Sequence, residues 1–270
     1  TGSTSVGRLV YKMAADRLVP VTLELGGKSP TVVESDANLR VAAKRIAAMK
    51  FLNCGQTCVA PDYILVHRSV HDRFIEELKA AVTKFYSQQP KQSESFGRIV
   101  NTRQFDRLVS YLGNDKILFG GGNDRSDLYI EPTLLTNVSL DSAVMNEEIF
   151  GPILPIIPFD QIEDARAVIE RHPNPLAFYV FTEDNARADR WLRTVPAGGA
   201  CVNNVSYHLT NTNLPFGGRG KSGLGAYHGR FSFDVFSHRK SVLHTPTWFD
   251  PAIKYPPLTG KLGLLKKMIR

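Results

Sequence analysis

Short β-branched runs alternate along the chain with longer stretches whose apolar residues recur at helical spacing. Thr31-Val32-Val33 predicts a strand, and Ser35-Asp36-Ala37-Asn38 after it is a good helix cap. Leu39 to Leu52 carries Val41, Ile46 and Met49 on or near one face and predicts a helix. Tyr63-Ile64-Leu65-Val66 predicts a second strand, and Ser69 is placed to cap a helix running through Phe85. Thr102 to Leu112 predicts a further helix, with Gly113-Asn114 as its stop. Ile117-Leu118-Phe119 then enters Gly120-Gly121-Gly122-Asn123, a turn. Ile153 to Phe159 is mostly apolar but holds two prolines, so it is expected at a sheet edge or as irregular chain. Asp160 to Arg171 predicts a helix, Phe178 to Phe181 a strand, Glu183 to Val195 a helix and Ala200-Cys201-Val202 a buried strand. This rhythm predicts an α/β fold with a mostly parallel sheet. Beyond Pro215 the chain is rich in Gly and then irregular, and no internal repeat is visible.

Composition changes this picture little. The 270 residues are 43% hydrophobic and 22% charged, an ordinary globular balance with room for one large core or two linked domains. No apolar run reaches the roughly 18 residues of a membrane span. The three cysteines cannot build a disulfide framework, so free thiols in a reducing cytoplasm are expected. The net charge of +7 is concentrated at the end: Lys254, Lys261, Lys266, Lys267 and Arg270 have no acid among them. That excess describes a tail rather than a nucleic-acid-binding face. The stretch 261–270 is basic and amphipathic. It fits either weak contact with an anionic membrane surface or a solvated or dimer-contacting tail, and the second is the expected reading.

Candidate chemistry sits at a few positions. Cys58 follows a helix pattern that stops at Gly55, which puts it on a loop or tight turn where a thiol can meet substrate. It reads either as a reactive thiol or as a small buried hydrophobe. Cys54 and Cys58 are too isolated for zinc, because no second Cys or His pair follows at ligand spacing; a stress-induced disulfide between them is a further reading. Glu24 is an acid inside the apolar run Val21 to Leu25. Burial would raise its pKa and suit it to general-base work, whereas on an edge strand it would be a surface acid. Gly27-Lys28-Ser29 and Gly220-Lys221-Ser222 mimic the end of a phosphate-binding loop, but Thr22 and Pro215 stand where its first Gly is needed. Gly2-Ser3-Thr4-Ser5-Val6-Gly7 precedes an apolar-periodic stretch, an arrangement that leaves N–H groups free for phosphate.

The order of these segments is more specific than any one of them. Thr1-Gly2-Ser3, Glu24-Leu25-Gly26-Gly27-Lys28-Ser29-Pro30, Gly55-Gln56-Thr57-Cys58, Glu148-Ile149-Phe150-Gly151-Pro152 and Pro215-Phe216-Gly217-Gly218 together resemble the aldehyde dehydrogenase superfamily over nearly the whole chain. Residues 55–63 and Tyr227-His228-Gly229 look most like its class 3 branch, which is dimeric and acts on fatty and aromatic aldehydes. The resemblance implies an aldehyde dehydrogenase-like catalytic domain with the end of a Rossmann-type cofactor domain, and NAD or NADP as cofactor. It implies Cys58 as nucleophile, forming a thiohemiacetal and then a thioester, and Glu24 as the base for thioester hydrolysis. Gly2, Ser3, Thr4, Ser5, Val6 and Gly7 match the turn and helix start near the cofactor pyrophosphate. Leu25 and Gly26 match backbone near the nicotinamide, Glu148 the acid that holds its ribose, and Phe150 the aromatic beside the ring. His228 receives no role and no metal is implied.

The family's second oxyanion donor, an upstream Asn, has no match here; Asn53, Asn203 and Asn204 do not correspond to it. The chain begins without Met inside a motif and is expected to be a fragment. The expected division is 1–26 as the end of the dinucleotide-binding domain, 27–225 as the catalytic domain and 226–270 as an oligomerisation segment and basic tail. Two other readings stay open. One is a coenzyme A-acylating relative, which Glu24 argues against. The other is a non-catalytic binding or structural piece of the same fold.

Overall fold

The predicted β-branched and aromatic runs become strands because their side chains fill a layer that is buried on both faces. In chain order the strands are β1 (Leu23–Glu24), β2 (Pro30–Val33), β3 (Tyr63–His67), β4 (Lys116–Phe119), β5 (Asn123–Asp124), β6 (Tyr129–Ile130), β7 (Thr133–Thr136), β8 (Ile153–Phe159), β9 (Ala177–Phe181), β10 (Gly199–Val202) and β11 (Gly223–Leu224). The helices are α1 (Thr4–Ala15), α2 (Leu39–Phe51), α3 (His71–Tyr86), α4 (Thr102–Val109), α5 (Ala143–Asn146), α6 (Ile162–Glu170), α7 (Asn185–Thr194), α8 (Gly229–Val235) and α9 (Leu262–Met268). This computed structural model describes residues 1–113 and 116–268. Asn114 of the predicted helix stop, and Ile269 and Arg270 of the basic tail, lie outside the described residues. The chain divides into two compact units, Thr1–Phe236 and Ser237–Arg270.

One seven-stranded sheet runs β10-β9-β2-β3-β8-β7-β4, parallel throughout except for β4, which pairs antiparallel with β7. The α/β fold with a mostly parallel sheet is therefore as the sequence predicts. β2, β7 and β9 are buried at every position. α2 packs on α3 and turns Ala42, Ala43, Ile46, Ala47 and Phe51 into the core, together with the whole side chain of Lys50. Its inner face is thus mostly alanine, and Val41 and Met49 are only half-buried. Asn38 caps this helix by accepting the Val41 N–H at 3.2 Å, as its position predicts. Leu65, on β3 in mid-sheet, is fully buried. Leu65→Ala is expected to cost about 2–5 kcal/mol, because it removes buried methyl groups and leaves a cavity. Urea unfolding followed by circular dichroism would measure that loss.

Three local expectations are corrected. Ile153–Phe159 is neither an edge nor irregular, since β8 lies between β3 and β7. Its prolines are tolerated because the strand changes partner along its length. Residues 153–155 pair with β7 and residues 156–159 with β3, so each half leaves one side without a ladder. Ser69 does not cap α3. The chain first makes a 3-10 turn over Arg68–Val70, capped by His67, whose Nδ1 lies 2.8 Å from the Ser69 hydroxyl; α3 begins after it with no side-chain cap. Ala200-Cys201-Val202 forms a strand, but at the sheet edge, where it is half-buried to exposed.

Candidate active site

Glu24 lies on a two-stranded ribbon made when β1 meets β11, with Glu24 opposite Gly223. The ribbon is tied at both ends of the acid. Gly2 N–H donates to the Glu24 carbonyl at 3.1 Å, and Leu25 N–H to the Ser222 carbonyl at 3.1 Å. The side chain is only 6% exposed, and neither carboxylate oxygen has a hydrogen-bond partner among the described residues. Burial pushes its pKa up from 4.5 to about 7. This is the buried-acid reading of Glu24, not the surface one.

Cys58 is placed by the chain leaving α2. The backbone turns through left-handed Asn53 (φ 50°) and Cys54 (φ 57°) into Gly55 (φ +73°). Gly55 is needed there twice over: its backbone is left-handed, and a Cβ would lie 2.2 Å from the Gly151 carbonyl oxygen. Gln56 then staples the loop to the 98–100 segment, donating to the Arg98 carbonyl at 2.9 Å and accepting the Val100 N–H at 2.9 Å. Beyond the thiol, the Val59 carbonyl accepts from the Tyr179 hydroxyl at 2.7 Å and the Ser206 hydroxyl at 3.1 Å. Cys58 is thus a half-buried residue in a turn fixed on both sides. Burial raises its thiol pKa, the Glu148 carboxylate raises it further, the backbone N–H of Cys58 opposes that, and Glu24 adds to the rise. Tyr227 feels both Glu24 and Cys58 after its own burial, so these three groups share one environment. Cys54 is different: it is fully buried, and burial drives its thiol up to about 12.

Glu148 and the N-terminal segment form the second part of the site. The Glu148 carboxylate lies against Gly26, where a Cβ would come within 1.9 Å of Oε2, and the Gly27 backbone N–H favours its charged form. Burial, followed by the nearby Asp62 carboxylate, raises its pKa to about 7. Phe150 follows in a left-handed conformation (φ 49°) with its ring part-exposed. Ser3 caps α1 by accepting the Val6 N–H at 3.4 Å, and its hydroxyl lies 2.9 Å from that of Ser5. The Thr4 hydroxyl donates to the Lys221 carbonyl at 3.0 Å. Gly7 is buried against Leu25, while Gly2, Ser3, Ser5 and Val6 are exposed. Thr4, Gly26 and Glu148 line one cleft of about 150 Å³ with His172 and Lys221.

The asparagines set aside in the sequence spend their side chains on nearby backbone. Asn203 donates to the Thr182 carbonyl at 2.8 Å and Asn53 to the Gln56 carbonyl at 3.1 Å, while Asn204 accepts the Val205 N–H at 2.9 Å. Among the described residues no group of three His, Cys, Asp or Glu could hold a metal. The structure adds Lys28, Asp62, Arg107, Tyr179 and Tyr227 around the site. Lys28 and Asp62 lie inside the quoted Gly-Lys-Ser and Cys58 motifs, which was the one signal available for them.

The site thus brings together a half-buried Cys thiol, a buried carboxylate without a hydrogen-bond partner, and a second acid lying against the backbone of Gly26. The profile of the aldehyde dehydrogenase family matches residues 1–242, and the chain belongs to that family. It is 48% identical over its whole length to a 4,4'-diaponeurosporen-aldehyde dehydrogenase of Staphylococcus aureus, covering 59% of that protein. It is 47% identical to a dimeric NADP-preferring aldehyde dehydrogenase of Rattus norvegicus, with 97% of this chain and 58% of that one aligned. A solved structure described as the substrate-bound state of Staphylococcus aureus AldH superposes with a TM-score of 0.95 at 48% identity, over all of this chain and 59% of that one. The chain thus spans just under three-fifths of the length of these relatives.

Proposed function

We propose that the protein containing this chain oxidises an aldehyde to a carboxylic acid, with NAD or NADP as hydride acceptor, through a thioester on Cys58. The observation that carries this reading is Glu24: a buried carboxylate without a hydrogen-bond partner, held near pKa 7, in the environment of the half-buried thiol. The residues present fit a nicotinamide cofactor, since Gly26 sets backbone without a side chain directly against the Glu148 carboxylate. Glu148 would hold the ribose, Leu25, Gly26 and Phe150 would border the ring, and Gly2 to Gly7 would face the pyrophosphate at the start of α1. When bound, the cofactor supplies a hydride acceptor.

The chain's own residues do the rest. Cys58 passes its proton to solvent water, and Sγ bonds to the aldehyde carbon, moving negative charge to the oxygen. The Cys58 N–H stabilises that oxygen. The carbon's hydrogen leaves with its electron pair as the C=O bond re-forms, giving the thioester. Glu24 takes a proton from water, whose oxygen adds to the thioester carbon. The C–S bond breaks, the departing sulfur takes the proton back from Glu24, and the thiol and carboxylic acid separate.

The finer assignments follow the same reading. Class 3 character, a homodimer and medium- or long-chain aliphatic or aromatic aldehydes are supported by the motifs at 55–63 and 227–229. The name of the rat relative, dimeric and NADP-preferring, supports the dimer. The division into 1–26, 27–225 and 226–270 assigns the first segment to cofactor binding, the second to catalysis and the third to oligomerisation. Three free thiols suit the cytoplasm. Among the described residues no helix is long and apolar enough to cross a membrane. The basic helix α9 is read as a solvated or dimer-contacting tail, with weak membrane-surface contact as the alternative. The direct test is aldehyde-dependent formation of NAD(P)H by this chain and by the full-length protein. A full-length protein that is silent with aliphatic and aromatic aldehydes and both cofactors would overturn the proposal.

A further inference from the structure

Three charged side chains outside the reacting groups converge on the backbone that carries Glu148. Lys28 and Asp62 form a buried ion pair, their side chains 2% and 4% exposed. Lys28 also donates to the Val144 carbonyl at 2.8 Å and the Glu147 carbonyl at 2.9 Å. The second oxygen of Asp62 accepts the Ile149 N–H at 2.9 Å. From the other side, Arg107 on α4 donates to the Glu148 carbonyl at 3.2 Å and the Ile149 carbonyl at 2.7 Å. Arg107 is itself braced by Gln104 at 2.8 Å and the Tyr111 hydroxyl at 2.6 Å.

Each carbonyl from Glu147 to Ile149 is therefore met by a cation, and the Ile149 N–H by an anion. Three different parts of the chain supply these charges. The next residue, Phe150, is a non-glycine held at φ 49°, a conformation that persists only where the surroundings over-determine it. Its neighbour Gly151 abuts Gly55 in the loop leading to Cys58. Charges this deeply buried are costly to keep for stability alone.

The structure assigns Lys28, Asp62 and Arg107 a positioning role: together they clamp the Glu147–Ile149 backbone so that the Glu148 carboxylate stays against Gly26-Gly27, ready for the hydroxyls of a ribose. This inference rests on the cofactor reading proposed above. None of the three residues touches the reacting atoms. Their effect reaches the cofactor through Glu148.

The test uses the full-length protein containing this chain. In Lys28→Met/Asp62→Leu the ion pair goes as a unit, and the buried Lys50, on which Asp62 also acts, keeps the Glu148 carboxylate as a partner. Arg107→Lys keeps the charge but loses the planar fork that reaches two carbonyls, and Arg107 is half-buried on a surface helix, so this variant is expected to fold. Binding of NADH and NADPH is titrated by fluorescence, and hydrolysis of a nitrophenyl ester, which needs Cys58 and no cofactor, is followed separately. Each variant is expected to bind cofactor about 10-fold more weakly or worse, as expected for losing hydrogen bonds to a charged group, and to lose far less of its ester hydrolysis. Unchanged cofactor affinity in Arg107→Lys overturns the inference, and so does ester hydrolysis falling in step with binding. A wild-type protein that binds neither cofactor overturns the underlying functional reading instead.

Discussion

Cys58→Ala abolishes aldehyde-dependent NAD(P)H formation and ester hydrolysis together, a loss on the order of 10⁴-fold or more because the bond-forming atom itself is gone. Both activities fail because both pass through an acyl group on the same sulfur. Cys54→Ala, four residues earlier, leaves measurable turnover. Its thiol is fully buried in the core and held up near 12, so it neither meets substrate nor ionises at neutral pH. The contrast is a test of geometry rather than of cysteine content. The two thiols lie in one loop, and only Cys58 is half-buried in a turn that shares its environment with a carboxylate. Assays of the two variants side by side, with folding checked by circular dichroism, would measure it. Comparable inactivation in both would contradict the assignment.

Glu24→Gln separates the two halves of the reaction. Glutamine has nearly the same shape but cannot take a proton from water, so thioester hydrolysis slows on the order of 10²-fold while the first hydride transfer is far less affected. Rapid mixing then shows a burst of NAD(P)H followed by a slow steady state. Equal loss in both phases would count against a general-base role. The pH dependence follows from the carboxylate's position near pKa 7. Hydrolysis rises as pH passes through about 7 and levels above it, and the variant lacks that inflection. Stability moves the opposite way. Glu24 and Glu148 are raised from 4.5 to about 7 in the fold, so between those values the folded state binds more protons than the unfolded one. Stability therefore falls as pH rises through that window, and Glu24→Gln, neutral throughout, flattens part of the fall. Melting temperatures of both proteins from pH 4.5 to 8 would measure this.

The alternation of strands and helices was legible because it is written in local periodicity. Tyr63–His67 and Ala177–Phe181 sit within a residue of their predicted runs. Two of the three corrected expectations were set by distant partners. β8 looks unfit for a sheet interior until its two halves are seen to pair with different neighbours. Ala200-Cys201-Val202 looks fully buried, but its place at the sheet edge depends on strand order, which no local pattern encodes. Ser69 was a sound cap in the wrong place, because His67 makes a 3-10 turn ahead of α3.

The site divides in the same way. Cys58 on a turn could be read from a helix stopping at Gly55. The sequence left Glu24 balanced between a surface acid and a buried base, since its burial depends on β11, far along the chain. In the sequence Lys28 reads as the end of a failed phosphate loop and as an unassigned position of a family motif. Its partners come from two other stretches, Asp62 from one and Val144 and Glu147 from another, and no periodicity links them.

The acyl group that Cys58 is proposed to carry is open to direct measurement. Glu24→Gln in the full-length protein, mixed with aldehyde and cofactor and quenched in acid during turnover, should yield a peptide containing Cys58 heavier by the acyl group of the substrate. The adduct should be absent without cofactor and absent in Cys58→Ala. An adduct on Cys54 or Cys201, or none on Cys58 while NAD(P)H is being formed, would contradict that proposal.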